Sequence, residues 1–581
     1  MLCASLVTSA CGFYPDETAT AAERSKSAGA LDPANELKSL WNMTKIRKTP
    51  LDVEIVSRKS EDGWIVEELY FTGEITPNGP NRLFCGYARP ENAPCPVPVA
   101  IELHGGGGHG SGRQALSIAR QLNAAVVSLD WSGEFIPGAE QFTKWRMDPA
   151  NPYLHFAVER SLKDSPIYHI IVAARRAIDF VCEQPGIDSN RIAALGGSWG
   201  GYMSLLLAGI DGRIRYAASG MGAGGLRGSC SKIGSALVDL PTEKQDAWIA
   251  AFDPITYAPK STAATLITAC SNDWFFWLGD VMRNYRALRG SKAIAITPNC
   301  NHGVGGPSAS DRTWVRWLRH CFHGEQPLPA VTGLKCEGRV YTWNVESPDP
   351  NVKSVLYWSP GQVVWPARYW IEIPATGKNG SWSAELPAKL AGVAAELYAD
   401  AFDSNGGAAS TELVTREGAD PLVGSIPSWP AGALWDEERG AAAWRPPGPA
   451  KINGPLNVSL ESPSAGKLTV GPAKGEKSFA VLTNSVVLTA GAARRHSGIR
   501  LRVDGLGHAG TMTVMLLKDS GSVREIAYSA VVDYGDNRAT IDLRWDDFKG
   551  PAGPPYPFDG LRLDGSRPDG SALHIERIGY Y

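Results

Sequence analysis

The chain has no C-x-x-C pair, although ten cysteines are spread over its 581 residues. Zinc ribbons and thioredoxin-like exchange are therefore not suggested. No apolar run approaches the ~18 residues of a membrane-spanning helix. Charge is modest at 20% of residues and nearly balanced, with a net charge of −3. There is no basic excess to release counterions from nucleic acid or to hold an anionic membrane, so neither is an expected partner. No H-E-x-x-H occurs, and the glycine run at 105–108 is followed by no Lys-Ser/Thr. The spacing of that run between strand and helix does not suit a dinucleotide. Neither a metal nor a cofactor is expected. Internal repeats and low-complexity tracts are also missing. An apolar fraction of 43% nevertheless marks ordinary globular protein, and the length calls for several domains.

The most informative stretch is Gly196-Gly197-Ser198-Trp199-Gly200. An apolar run, Ile192 to Leu195, precedes it, and an apolar segment, Tyr202 to Ala208, follows. This is a G-x-S-x-G turn between a strand and a helix, which exposes a serine hydroxyl at a helix N-terminus. Such a serine needs a base, and the base needs a group to orient it. Downstream, the strand-like run Leu266 to Ala269 ends just before Asp273, and Ala293 to Thr297 ends just before His302. Three successive strand ends thus supply Ser198, Asp273 and His302 in the order Ser, Asp, His; Asp239, Asp253 and Asp280 are poorer rivals for the acid. Donors for an oxyanion are expected from the amide of Trp199 and from the loop His104-Gly105-Gly106-Gly107-Gly108, with Gly105 and Gly106 the best candidates. Trp274, Phe275 and Trp277 are candidates for stacking on substrate.

Five segments are expected. Residues 1–49 form a signal remnant and tether: Met1 to Cys11 is a short, mildly apolar stretch, and residues 14–36 are rich in Ala, Ser, Glu and Asp. Export to the periplasm or medium is the expectation, with lipidation at Cys11 its narrower form and a cytoplasmic location left open. Residues 50–327 read as antiparallel strands followed by alternating strands and helices, hence an α/β domain with a mainly parallel sheet. Residues 328–419 read as an immunoglobulin-like β-sandwich and 420–455 as a Pro/Gly/Trp-rich linker. Residues 456–581 read as a second β-sandwich. Cys85 with Cys95, and Cys300 with Cys321, are spaced so that either pair could bridge; buried thiols are the equal alternative.

Residues 50–325 resemble the α/β-hydrolase superfamily, in its branch of acetyl xylan esterases, dienelactone hydrolases and prolyl-oligopeptidase-like enzymes. The carrying residues are His104-Gly105-Gly106, Gly186 to Ile192, the elbow at Ser198, Asn272-Asp273 and Asn301-His302-Gly303. The Arg-Gly-Gln signature of acetyl xylan esterases is not evident, and no room exists upstream for the propeller of the oligopeptidases. The last segment resembles carbohydrate-binding modules of the galactose-binding-like jelly-roll type, on Ile541 to Phe548, Phe558 to Leu563 and Leu573 to Ile578. The resemblance implies a Ser-His-Asp esterase that deacylates a carbohydrate through an acyl-enzyme. The alternatives are a prolyl-oligopeptidase-like peptidase using the same triad, and a carbohydrate-binding surface protein whose hydrolase domain is inactive. The expected partner is an ester or acylated carbohydrate; oligomeric state is not readable.

Overall fold

The computed structural model describes residues 32–580 apart from 93–95, 134–140, 148–150, 152, 230, 239, 299, 301, 303–309, 361–364, 366–367, 369, 379, 393, 418–432, 437–443, 446–457, 462–467, 473, 484–495, 519–525, 557 and 559. The expected signal remnant, Cys95, Gly303 and most of the expected linker lie outside the described residues. No helix among the described residues is long and apolar enough to cross a membrane.

Nine strands form the first sheet: β1 (Glu54–Glu61), β2 (Trp64–Thr76), β3 (Gly79–Pro90), β4 (Val97–Leu103), β5 (Ala125–Leu129), β6 (Ile187–Gly197), β7 (Ile214–Gly220), β8 (Ala264–Cys270) and β9 (Lys292–Thr297). Their order is β1-β2-β3-β5-β4-β6-β7-β8-β9. The first three strands and the β3–β5 pair are antiparallel, and from β5 to β9 every pairing is parallel. The sheet is thus mixed. The strands that read as continuous apolar runs, such as β4 and β5, are buried at every position, as a parallel sheet covered on both faces requires.

The covering helices begin and end where their sequences say. Helix α1 (Gly112–Leu122) starts at Ser111, whose hydroxyl accepts from the Gln114 amide at 3.2 Å, and stops at Asn123 in the left-handed region, φ 49°. Helix α2 (Pro166–Glu183) opens with proline at its first position and is buried along most of its length. Helix α3 (Trp199–Ile210) leaves directly from Ser198 and is apolar all round because it is buried between the sheet and its neighbours. Helices α4 (Leu278–Ala287) and α5 (Ser310–His323) complete the layers. Two further helices, Lys232–Val238 and Thr242–Phe252, lie between β7 and β8.

Beyond residue 329 all regular structure among the described residues is antiparallel β, save short 3₁₀ turns. Strands 330–337, 340–346, 381–385 and 376–378 make one sheet; 371–374, 353–360, 395–402, 408–410 and 414–416 make another. Tyr341, Trp343, Leu356, Trp358 and Leu397 from the two sheets share a core, and Trp343 Nε1 donates to Ser354 Oγ at 2.8 Å across it. Two further sheets, of six and five strands, follow to residue 580. The expected linker is corrected in part: Ala433–Asp436 and Trp444–Arg445 are strands, paired with 573–580 and 478–483. Alternating backbone hydrogen bonds, not proline content, decide that outcome.

Candidate active site

Four C-terminal strand ends of the parallel set meet at one rim of the sheet, where open α/β sheets assemble their sites. They are the ends of β4, β6, β8 and β9, followed by His104, Ser198, Asp273 and His302 respectively.

Ser198 occupies φ 56°, ψ −127°, a conformation that non-glycine residues avoid. Tertiary bonds hold it there: its amide donates to Gly220 O at 2.7 Å, and its carbonyl accepts from the Tyr202 amide at 3.0 Å as α3 begins. The turn is possible only because its flanks are glycine. A Cβ on Gly196 would stand 2.2 Å from Leu103 O, and one on Gly200 only 1.8 Å from it. The elbow is therefore pressed against the end of β4, which brings the 104–108 loop alongside.

His302 Nε2 lies 2.9 Å from Ser198 Oγ, and His302 Nδ1 lies 2.8 Å from Asp273 Oδ2. The other carboxylate oxygen, Oδ1, accepts from the amides of Phe275 (2.7 Å) and Phe276 (3.0 Å). Those two bonds fix the carboxylate plane and leave Oδ2 for the imidazole. Asp273 is 1% exposed and His302 6%, so this chain of hydrogen bonds runs in a medium that strengthens it. With Asp273 accepting at Nδ1, the imidazole carries its proton there, and Nε2 can take the hydroxyl proton of Ser198.

The glycine loop is also pinned. His104 Nε2 accepts from the Trp131 amide at 3.2 Å, so its proton resides on Nδ1, which donates to Gly105 O at 2.8 Å. The same carbonyl accepts from Gly108 N at 3.1 Å. Because a trans peptide points its N–H opposite its C=O, the Gly106 amide is turned away from the imidazole. The loop packs on the nucleophile: a Cβ on Gly105 would be 3.3 Å from Ser198 Cβ. Across from it, Trp199 is the first residue of α3, at the positive end of the helix dipole.

The rival acids are engaged elsewhere. Asp253 accepts from the amides of Gly225, Leu226 and Ile255. Asp280 bonds Ser229 and Arg283, with burial pushing its carboxyl up to about 6. Asp239 is outside the described residues. The expectation for Trp274, Phe275 and Trp277 needs correction, because the three side chains are only 4, 7 and 9% exposed. The Phe275 and Phe276 rings lie 4.7 and 6.2 Å from the His302 ring; they back the imidazole, and the three expected side chains form no open platform, since the bonds to Asp273 turn this segment inward.

Sequence reading missed His155 and gave Asn272 no role beyond its place in the Asn272-Asp273 turn. His155 is buried with its ring 4.1 Å from that of Trp199, and no motif marks it. Asn272 donates from Nδ2 to Arg368 O in the following β domain, tying that domain to the residue beside Asp273. Among the described residues the cysteines are thiols: Cys85, Cys300 and Cys321 form no disulfide there, and Cys300 lies next to Cys270 instead of Cys321.

Residues 154–324 match the model of the prolyl oligopeptidase family, a span that includes Ser198, Asp273 and His302. Together with the sheet order, this makes the class a serine hydrolase with an α/β-hydrolase-like domain. Among solved structures, an acetyl xylan esterase from Paenibacillus sp. R4 is similar at 21% identity, covering 47% of this chain and 88% of that one with a TM-score of 0.40. Acetyl xylan esterase 1 from Thermoanaerobacterium sp. JW/SL YS485 is similar at 16% identity, 51% and 96% coverage, and a TM-score of 0.42. An S-formylglutathione hydrolase from Agrobacterium tumefaciens is similar at 15%, 43% and 92% coverage, and 0.34. No curated protein matches the chain.

Proposed function

We propose that this protein cleaves carboxylic esters and that its natural substrate is an acylated carbohydrate. Ser198 Oγ attacks the ester carbonyl while His302 Nε2 takes its proton. Asp273 holds the imidazole and balances the charge it gains. The amides of Trp199 and Gly106, with Gly105 shaping the loop, stabilise the tetrahedral oxyanion. His302 then protonates the leaving alcohol, and water reverses the sequence to release the acid. One observation carries this reading: the unbroken chain from Asp273 to His302 to Ser198, at 2.8 and 2.9 Å, with the serine strained at a helix N-terminus.

The carbohydrate side draws support from the C-terminal β region, read here as a carbohydrate-binding module. A depression there of about 820 Å³ is bordered by Trp545 and Tyr556, with Arg544, Asp546 and Lys549 beside them. Aromatic rings beside charged hydrogen-bonding side chains are chemistry that suits a sugar ring. Export, through the Met1 to Cys11 stretch, belongs to the same proposal.

A second reading, a peptidase acting beside proline, is favoured by the family match over 154–324. The two are separated by p-nitrophenyl acetate and acetylated xylan on one hand and proline p-nitroanilide peptides on the other. The expected result is turnover of the esters alone. Ser198→Ala is expected to lower that turnover by roughly 10³-fold or more, with unchanged circular dichroism; ester turnover surviving in this variant would sink the assignment.

A further inference from the structure

Cys270 and Cys300 stand between the two loops that carry Asp273 and His302. Their Sγ atoms are 3.6 Å apart, and both are thiols. Cys270 closes β8, in register with Thr297 of β9, and Cys300 follows three residues later. Two backbone bonds clamp the segments together, Ser271 N to Thr297 O and Asn272 N to Cys300 O, both 3.0 Å. The backbones are thus already held side by side. Closing a bond of ~2.05 Å asks the sulfurs to approach by about 1.5 Å. Asp273 lies three residues past one sulfur and His302 two residues past the other. Cys270 is buried and Cys300 half-buried, so a small reagent reaches the pair through Cys300.

We propose that Cys270 and Cys300 are a redox modification site whose oxidant is a low-molecular-weight disulfide, RSSR. The Cys300 thiolate attacks one sulfur of RSSR, and RS⁻ leaves and takes up the proton that Cys300 lost. The Cys270 thiolate then attacks Cys300 Sγ of this mixed disulfide and expels the second RS⁻, which takes up the proton from Cys270. Two thiols become one disulfide, and RSSR becomes two RSH. The new bond staples the acid loop to the base loop and displaces groups whose geometry tolerates well under 1 Å. The effect on turnover rests on the triad reading above; the chemistry at the sulfurs does not.

The test equilibrates the full-length protein in oxidised and reduced glutathione at graded ratios and reads each sample twice. Mass spectrometry is expected to show loss of two hydrogens and a linked pair of peptides holding residues 270 and 300. Turnover of p-nitrophenyl acetate is expected to fall at least fivefold as that species accumulates, and to return with dithiothreitol. Cys300→Ser should form no link and keep its turnover at every ratio. Cys270→Ser should stop at the glutathione adduct on Cys300. No linked peptide at any ratio overturns the proposal, and so does a linked enzyme with undiminished turnover. A fully reduced enzyme without ester turnover would instead count against the hydrolase reading, because the mass shift is read independently of activity.

Discussion

His155 is held neutral by burial, and the protein's stability must record it. The side chain is 1% exposed, packed 4.1 Å from the Trp199 ring and 5.8 Å from that of Trp131, and neither ring nitrogen has a hydrogen-bond partner among the described residues. Burial pushes its pKa down to about 3 from an ordinary value of 6.5. Between those values the unfolded chain binds a proton that the native protein refuses. Stability linked to His155 is therefore complete above pH 6.5 and falls as the pH drops, by about 1.4 kcal/mol per unit. The loss reaches about 3 kcal/mol at pH 4.5 and levels off near pH 3. His155→Leu removes the titration while keeping an apolar side chain of similar bulk. Urea unfolding of both proteins, followed by tryptophan fluorescence at pH 7.5, 6, 5 and 4.5, isolates the effect. Any packing difference offsets the two curves equally at every pH. The buried carboxyls Glu102, Asp253 and Asp400, which burial raises, are common to both and cancel. The variant is expected to gain about 3 kcal/mol on the wild type between pH 7.5 and 4.5. Parallel pH profiles would refute the reasoning.

Gly200→Ala would put a methyl group 1.8 Å from the Leu103 carbonyl oxygen, a backbone atom that cannot swing aside, whereas a Cβ at Gly212 meets nothing within 4 Å. The first is expected to abolish soluble expression or ester turnover and the second to change the melting temperature by no more than about 1 °C; equal effects would refute the packing account of the elbow. Asp273→Asn keeps the side-chain shape but no longer favours the proton on His302 Nδ1. It is expected to lower kcat by roughly 10³- to 10⁴-fold with little change in KM, and a loss under tenfold in steady-state kinetics would return the acid role to another carboxylate.

The elbow was legible in the sequence because its causes are local. A strand, a turn that only glycines allow and an apolar helix occupy consecutive residues, and each leaves its own pattern. Asp273 and His302 were legible for a topological reason, since polar residues just past apolar strands end on one rim of a parallel sheet. The direction of the 274–277 aromatics was not legible. Whether an aromatic faces solvent or core depends on which backbone amides turn toward Asp273, and that is set by tertiary contact. The strands at 433–436 and 444–445 were missed for a related reason: a proline-rich stretch can still supply a few ladder bonds when a partner strand stands waiting. His155 left no signal at all, because an isolated histidine reads the same in a core as on a surface.

The β domain after residue 329 does more than follow the catalytic sheet in the chain. β9 is the last strand of that sheet, so one side of it would present unpaired backbone groups, and such an edge invites association with other chains. The side of the β domain at 408–410 covers it: Ile296 N donates to Ser410 Oγ at 2.8 Å, and that hydroxyl donates to Asp400 Oδ1 at 3.0 Å. Arg286 reaches across to Leu413 O at 2.7 Å, Arg316 pairs with Asp403, and Asn272 bonds Arg368 O. These contacts fall on β9, on the helices α4 and α5, and on the residue before Asp273. The strand ends that present Asp273 and His302 are therefore held from outside the first domain as well as from within, and the precision of the proposed triad is a property of both domains together.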